Sequence, residues 1–224
     1  MTPTRKTIAE RLAQSYREAV HLTMTMDMDM TEPKQFRERL LAQTKEPGNP
    51  TISYTDLLVK AVALAIRRNL IFNSTLEGDK IKIFKDINIG VAVATDEGLV
   101  VPVIRKADEK SLVEISSNLK TLSEKARTHT LSMSDIAGGT FTVSNLGMFN
   151  VDTFSPIINP PQSSILGVGA MKIKPVAVEG GITVRPLMTL SLVFDHRIVD
   201  GASAAVFLSA IKEILENPSE NMKT

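Results

Sequence analysis

The sequence predicts one α/β domain, 1–224, with a mixed β-sheet and flanking helices. Helix-like and strand-like segments are interspersed without the regular alternation that a wholly parallel sheet requires. No long linker, internal repeat or low-complexity segment divides the 224 residues. The hydrophobic content of 43% is sufficient for a sizeable core. We therefore expect one domain with a single sheet at its centre.

The first quarter of the chain predicts a helix, a strand and two further helices. Thr7 and Glu10 have the spacing of a capping box, so the first helix is expected from there to about residue 19. Apolar and polar residues alternate strictly over 22–30 and place four methionines on one face of a strand. This face either joins the core, which is the more common case, or lines an adaptable pocket. A short helix is expected over 33–42, and a buried helix extends to about residue 70 after a Pro/Gly loop at 46–50.

The remaining elements are predicted from the same signals. Ser111 and Glu114 form a second capping-box pattern, which begins a helix whose apolar residues recur on one face. Residues 176–178 and 182–184 flank Gly180 and Gly181 as a hairpin, and residues 202–215 have the pattern of a final helix. Strands are predicted over 80–84, 87–93, 99–103, 140–144, 164–172 and 189–194.

Composition excludes several classes of function. The 26 basic and 25 acidic residues are nearly balanced, whereas a nucleic-acid-binding domain normally has a basic excess. The longest apolar stretch is too short to span a bilayer, and the amino terminus lacks a signal-peptide pattern. The chain has no cysteine, and His21 and His129 lie in no metal-ligand spacing, so we expect neither disulfides nor a bound metal. A cytoplasmic location is expected.

The segment 195–201 joins the last predicted strand to the last predicted helix and contains His196. If the strand persists, His196 continues a face that carries Leu192 and Phe194, and this apolar setting would keep the imidazole neutral, as a general base must be. The alternative is a half-buried structural histidine, which is the commoner case for an isolated residue. Asp200 occupies the position of a helix N-cap, for which aspartate is favoured.

Ser144 is the second candidate. It shares the polar face of its predicted strand with Thr140 and Thr142, and a turn follows at once. A hydroxyl at the end of a strand can donate a hydrogen bond to a developing oxyanion. The alternative is an ordinary polar strand face, which the spacing alone favours.

Several motifs in order resemble the catalytic core of dihydrolipoamide acyltransferases, the central components of 2-oxoacid dehydrogenase complexes. They lie at residues 5–12, 88–93, 98–103, 138–147, 158–161 and 195–201, so that the resemblance extends nearly from end to end. It implies a fold similar to that of chloramphenicol acetyltransferase, a trimer, and active sites between subunits.

The resemblance also implies roles for individual residues. The family's general base matches His196, its aspartate in the same motif matches Asp200, and the hydroxyl that stabilises the tetrahedral intermediate matches Ser144. In such trimers the histidine and the serine come from neighbouring subunits. Asp200 is expected to hold the loop and the histidine in place without moving protons.

The coenzyme A contacts of similar cores match Arg37, Ser53, Asn145 and Gly169. Branched-chain members have an aspartate where this chain has Ala94, which argues against a branched-chain substrate. The segments 145–150 and 159–162 are closer to those of acetyl-transferring members.

The implied function is the reversible transfer of an acyl group between dihydrolipoamide and coenzyme A, without a metal. The implied partners are further copies of this chain, which form a homotrimer and then a larger cage, and a lipoyl domain that carries the acyl group. The decarboxylase and dihydrolipoamide dehydrogenase components would bind through other domains. Lipoyl and peripheral-subunit-binding domains are absent from this chain, and we expect it to be the core of a longer polypeptide. No nucleic acid or membrane partner is expected.

Two other functions stay open at this stage. A different trimeric coenzyme A-dependent acetyltransferase, such as an antibiotic-acetylating enzyme, would usually carry paired histidines, whereas Asp195 precedes His196 here. A non-catalytic scaffold would have no need of the intact set of His196, Asp200 and Ser144.

Overall fold

The computed structural model describes residues 3–43, 51–96 and 98–222 and contains a six-stranded mixed sheet with most of its helices packed on one face. The predicted fold class is thereby confirmed. The helices are α1 (Pro3–Glu18), α2 (Thr31–Gln43), α3 (Tyr54–Arg68), α4 (Leu112–Arg127), α5 (Met133–Ile136), α6 (Gly201–Glu216) and α7 (Pro218–Asn221). The strands are β1 (His21–Asp29), β2 (Ser74–Glu77), β3 (Lys80–Ile83), β4 (Ile89–Val91), β5 (Val93–Thr95), β6 (Gly98–Val100), β7 (Val103–Ile104), β8 (Phe141–Asn145), β9 (Ser164–Val178) and β10 (Gly181–Asp195).

The order of strands in the main sheet is β1-β10-β9-β8-β4-β7. Strand β10 is antiparallel to both β1 and β9, β8 is parallel to both β9 and β4, and β7 is antiparallel to β4. It follows that β8 runs opposite to β10, so the carboxyl ends of these two strands lie at opposite ends of the sheet. Two short hairpins, β2-β3 and β5-β6, lie outside this sheet.

The methionine face of β1 packs into the core, as the commoner of the two interpretations predicted. Met28 and Met30 are fully buried, and Met24 and Met26 pack against the same cluster. The intervening side chains point to the other face because successive residues of a strand alternate.

Helix α3 is the most buried helix, and it begins with the capping box of Ser53 and Asp56. Lys60 lies among its buried residues, where its ammonium donates to the carbonyl oxygens of Asp108 (2.9 Å) and Lys110 (2.5 Å). Burial lowers the pKa of Lys60, but the two carbonyls satisfy the donors that the helix interior would otherwise leave without partners.

Some predicted boundaries are wrong. Helix α1 begins at Pro3, so Thr7 lies within the helix instead of capping it. The single strand predicted over 87–93 is interrupted at Ala92, and β5 then pairs with β6 in a separate hairpin. Strands β9 and β10 are each 15 residues long and form one continuous hairpin, whereas shorter strands were predicted. Strand β2 was missed, and the predicted loop at 46–50 lies outside the described residues.

None of the helices in the described ranges is long and apolar enough to cross a membrane.

Candidate functional site

Ser144 lies near the carboxyl end of β8, half-buried, and its backbone is in register with Gly167 of β9. Its neighbours Phe141 and Val143 belong to the hydrophobic core under the helices. Because strand residues alternate, the Ser144 side chain is on the face opposite to that core. Within the described part of the chain its hydroxyl forms no hydrogen bond, so the hydroxyl retains its capacity to donate.

Asn145 and the turn that follows are fixed by hydrogen bonds. The Asn145 side-chain oxygen accepts from the backbone N–H of Gly147 (2.8 Å), and its amide nitrogen donates to the hydroxyl of Thr55 (3.1 Å). Farther along β9, a Cβ at Gly169 would lie 1.9 Å from the carbonyl oxygen of Asp152, so only glycine fits where the strand passes close to Asp152.

Arg37 and Ser53 lie beside the same helix terminus. The Arg37 Nε donates to the carbonyl of Ile52 (2.7 Å), and its guanidinium lies 5.1 Å from the centre of the Tyr54 ring. Ser53 caps α3 and exchanges hydrogen bonds with Asp56. Burial raises the pKa of Asp56 overall, although the Ser53 hydrogen bonds act in the opposite direction.

These contacts place the predicted coenzyme A residues in one region. Arg37 meets the segment that leads into α3, Ser53 caps that helix, and Asn145 reaches Thr55 in its first turn. Gly169 lies against the turn after Asn145, because a Cβ at Gly147 would come within 2.7 Å of the Gly169 carbonyl. We call this group, together with the adjacent Ser144, the serine end of the sheet.

His196 lies at the opposite end, in the turn after β10, and is exposed. Its backbone N–H donates to the carbonyl of Val20 (2.8 Å), and its ring centre is 5.8 Å from that of Phe194. The predicted apolar setting is wrong for the isolated chain. The physical reason is that β10 ends at Asp195, so the chain turns away from the core before His196.

Asp195 fixes this turn, and sequence reasoning missed its contribution. Its buried carboxylate accepts from the guanidinium of Arg197 (2.6–3.1 Å) and from the backbone N–H groups of Val20 and Arg197. Burial by itself would raise the pKa of Asp195, but the Arg197 and backbone hydrogen bonds outweigh it and lower the pKa. The sequence did contain a signal for this contact, because Asp195 and Arg197, which have opposite charges, lie on the two sides of His196.

Asp200 caps α6, as its position predicted. Its carboxylate accepts from the backbone N–H of Ser203 (2.7 Å), and that hydrogen bond is the main reason why the pKa of Asp200 is lowered. The nearby His196 contributes a smaller electrostatic effect in the same direction. We call His196, with Asp195, Arg197 and Asp200, the histidine end.

One chain does not bring the two ends together. Ser144 is in register with Gly167, which pairs with Ser191, and His196 is five residues farther along that strand. The separation is therefore about 17 Å along the strands and about 10 Å across them. A general base and an oxyanion donor must each lie about 3 Å from the atoms on which they act, so the two residues of one chain cannot serve one reacting centre.

The described residues contain no group of three His, Asp or Glu side chains that could hold a metal ion. His129, one of the three histidines, pairs instead with Asp96, with 2.9 Å between nitrogen and oxygen.

The architecture identifies the fold class of the chain. Chloramphenicol acetyltransferase has the same fold, with a TM-score of 0.58 at 14% identity and coverage of 92% of this chain and 94% of that one. The chain belongs to the family of 2-oxoacid dehydrogenase acyltransferases (catalytic domain), whose model matches residues 1–223. The resemblance found in the motifs is thus confirmed.

Individual relatives agree with this membership. The chain is 43% identical over 221 residues to the acetyltransferase component of the Schizosaccharomyces pombe pyruvate dehydrogenase complex, covering 97% of this chain and 45% of the relative. It is 38% identical over 219 residues to the succinyltransferase component of the Haemophilus influenzae 2-oxoglutarate dehydrogenase complex, covering 98% and 54%. The chain therefore spans about half the length of the curated relatives it matches.

Two solved structures superpose almost completely. One comes from a study of a serine, a histidine and an asparagine in the catalytic mechanism of Azotobacter vinelandii dihydrolipoamide acetyltransferase (TM-score 0.95, 34% identity, 100% of this chain and 92% of that one). The other is the cubic core of a pyruvate dehydrogenase multienzyme complex (TM-score 0.95, 35% identity, 100% and 92%).

Proposed function

We propose that this chain transfers an acyl group reversibly between dihydrolipoamide and coenzyme A, at sites shared by neighbouring copies of the chain. The serine end of one copy and the histidine end of the next would form each site. His196 acts as the general base, Ser144 donates to the oxyanion, and Asp200 holds the histidine turn in place.

The observation that carries this proposal is a spacing. The serine and the histidine studied in the Azotobacter vinelandii enzyme are separated by 52 positions, and its histidine and asparagine by four. Ser144, His196 and Asp200 have the same separations in this chain. The third position holds a carboxylate here instead of an amide, and both side chains can cap a helix with an oxygen acceptor.

The distance between the two ends supports a shared site. A contact between the serine end of one copy and the histidine end of the next uses two different surfaces, and such head-to-tail contacts generate rings when the rotation closes. A homotrimer satisfies this condition with three equivalent sites. The cubic core among the related structures shows that a chain of this fold can assemble further, and we propose a cage of trimers here.

The proposed chemistry uses only groups that the site and the substrates supply. A thiol with a pKa near 8.5 is mostly protonated at neutral pH, so His196 takes its proton as the sulfur attacks the thioester carbonyl. The carbonyl oxygen gains negative charge in the tetrahedral intermediate, and the Ser144 hydroxyl donates a hydrogen bond to it. The intermediate collapses, the second sulfur leaves, and His196 returns the proton to it.

Coenzyme A would bind at the serine end through Arg37, Ser53, Asn145 and Gly169. The guanidinium of Arg37 supplies a positive charge for a phosphate group. The amino terminus of α3, capped by Ser53, favours negative charge in the same region. A Cβ at Gly169 would clash with the carbonyl oxygen of Asp152, so this position would contribute only backbone atoms to the site.

The proposal covers acyl groups in general, because the matched relatives include both succinyltransferases and an acetyltransferase. Steady-state rates with acetyl-, isobutyryl- and succinyl-coenzyme A and free dihydrolipoamide would measure which acyl group the chain prefers.

A lipoyl domain would deliver the acyl group. The decarboxylase and dihydrolipoamide dehydrogenase components would be the other partners in the complex, which we propose to be cytoplasmic.

Subunit complementation tests the proposal. His196→Ala and Ser144→Ala proteins, each expected to be nearly inactive alone, are unfolded together, refolded as mixed oligomers and assayed for transfer. Random mixing in a head-to-tail ring joins an intact serine end to an intact histidine end at about a quarter of the sites, so about a quarter of the wild-type rate should return.

Mixing the two proteins without unfolding is the control and should give no recovery before subunits exchange. Mixed oligomers of confirmed mass that stay inactive would show that the two residues do not share a site between copies. Substantial transfer by His196→Ala alone would remove the histidine from the proposed mechanism.

A further inference from the structure

Arg37 on α2 reaches the segment that leads into α3, and two contacts fix its guanidinium group there. Its Nε donates to the carbonyl of Ile52 (2.7 Å), and the group lies over the Tyr54 ring, 5.1 Å from the ring centre. The Ile52 side chain is fully buried, and the Tyr54 ring packs against the hydrophobic core. Both contacts therefore come from residues that the core itself holds in place, one on each side of Ser53.

These two contacts leave the terminal nitrogens of Arg37 available. A guanidinium group carries its N–H donors in one plane, so a ring against its face and a carbonyl at Nε occupy neither Nη1 nor Nη2. Over the described ranges, neither terminal nitrogen forms a hydrogen bond and no carboxylate forms an ion pair with Arg37. Parallel N–H groups at this spacing match a phosphate group, which they can bind through two hydrogen bonds at once.

The buried Asp56 is the acid on which Arg37 has an electrostatic effect. Its carboxylate already accepts from the backbone N–H (2.6 Å) and the hydroxyl (2.9 Å) of Ser53. A long arginine side chain without the Tyr54 ring would be free to turn toward this carboxylate or to extend into water, because it has many rotamers. The ring thus restricts the guanidinium to one position beside the helix terminus.

We propose that Tyr54 is a positioning residue for coenzyme A, because its ring holds Arg37 where Nη1 and Nη2 bind a phosphate group of that molecule. This inference rests on the proposed function for the identity of the ligand. Tyr54 acts through Arg37 and requires no contact of its own with coenzyme A. Such preorganisation raises affinity, since the arginine loses less rotamer freedom when the ligand binds.

A double-mutant cycle tests whether Tyr54 acts through Arg37. Isothermal titration calorimetry measures the Kd for coenzyme A in the wild type, Tyr54→Leu, Arg37→Ala and the double variant. Tyr54→Leu should raise the Kd about two- to fivefold, the range expected for a partly exposed cation–π contact. Arg37→Ala should raise it about tenfold or more, because a charge-assisted hydrogen bond is lost. In the Arg37→Ala background, Tyr54→Leu should have no further effect.

Two further variants separate positioning from a merely structural role. Tyr54→Phe keeps the ring and should restore the wild-type Kd. Tyr16→Leu is the matched control, because Tyr16 is the other tyrosine of the chain and its ring lies beside His21 instead of an arginine. It should bind coenzyme A like the wild type. At saturating coenzyme A the kcat of Tyr54→Leu should equal that of the wild type, since Tyr54 takes no part in the chemical step.

The outcomes distinguish this inference from the proposed function. If Arg37→Ala binds coenzyme A weakly but Tyr54→Leu binds it like the wild type, the positioning role is wrong and the proposed site stands. An equal penalty for Tyr54→Leu with and without Arg37 would also overturn the inference, because the ring would then act independently. If Arg37→Ala binds coenzyme A as tightly as the wild type, the proposed phosphate contact itself is wrong, and the inference fails with it.

Arg37→Lys covers the case in which Tyr54→Leu does not fold, since Tyr54 is the first residue of α3. Lysine keeps the positive charge but presents no planar pair of donors for the ring to orient. This variant should lose most of the affinity that Arg37→Ala loses. Wild-type affinity in Arg37→Lys would show that charge alone is sufficient and that no positioned guanidinium is required.

Discussion

The serine end and the histidine end of the sheet are built in different ways. At the serine end, contacts between distant segments bring the elements together, as in the Asn145–Thr55 hydrogen bond across 90 positions. At the histidine end, most of the hydrogen bonds are local ones between Asp195 and the residues after His196, and Val20 from a distant segment adds two more. A region assembled from distant segments suits the binding of an extended substrate, and a short turn held mainly by its own residues suits the presentation of one base.

This difference shows that each half of the proposed site is in place before the halves meet. The turn around His196 needs no second copy for its geometry, and neither does the hydrogen-bonded region next to Ser144. In the proposed trimer, association would combine two prearranged surfaces, which would preserve the precise positions that catalysis requires. Substitutions at either end should therefore separate effects on chemistry from effects on folding.

Replacing His196 by alanine should have the largest effect. Loss of the general base is expected to reduce turnover about a hundred to ten thousand fold. The mass of the oligomer should not change, because the exposed imidazole forms no part of the core. Steady-state kinetics and light scattering on the same preparation measure both quantities. A protein that dissociates would mean that the histidine turn serves assembly more than chemistry.

Ser144→Ala should have the next largest effect, at the other end of the sheet. Loss of one oxyanion donor is expected to lower turnover about a hundred to a thousand fold, with little change in KM for coenzyme A. Kinetics at varied coenzyme A concentration separate the two parameters. Equal losses in turnover and in coenzyme A affinity would identify Ser144 as a binding residue.

The sequence revealed the histidine end more fully than the serine end. The Asp200 cap follows from local pattern, because a capping residue acts within four positions of itself. The strand order, which decides that Ser144 and His196 lie at opposite ends, depends on pairings between distant segments that no local pattern encodes. The roles of Arg37 and Gly169 came from family resemblance and could not follow from spacing.

Asp195→Asn tests how the histidine turn is held. The substitution removes the charge that binds Arg197 and should reduce the free energy of unfolding by about 2 kcal/mol. The pKa of Asp195 is lowered in the folded state, so its contribution is present above the unfolded pKa near 4 and is lost as pH falls through the lower folded value. Urea denaturation at several pH values should show the wild-type advantage shrinking below about pH 4.

The control for this prediction is Glu77→Gln, which breaks an exposed ion pair with Lys82. Both side chains of that pair are mostly in water, so the variant should unfold close to the wild type. If Asp195→Asn also unfolds like the wild type at neutral pH, then Arg197 does not anchor the turn.

Ser53→Ala should have the smallest effect, and it distinguishes helix capping from coenzyme A binding at the serine end. Ser53→Ala removes the cap of α3 and should lower stability by about 1 kcal/mol. Ser111→Ala is a close match, because Ser111 caps α4 with the same pair of hydrogen bonds at the same distances, 2.9 and 3.2 Å. Both variants should lose similar stability in urea, but only Ser53→Ala should raise the KM for coenzyme A. If the KM for coenzyme A rises in both variants, or in neither, then Ser53 acts only as a helix cap. Arg37 and Asn145 would then remain as the proposed coenzyme A contacts at this terminus.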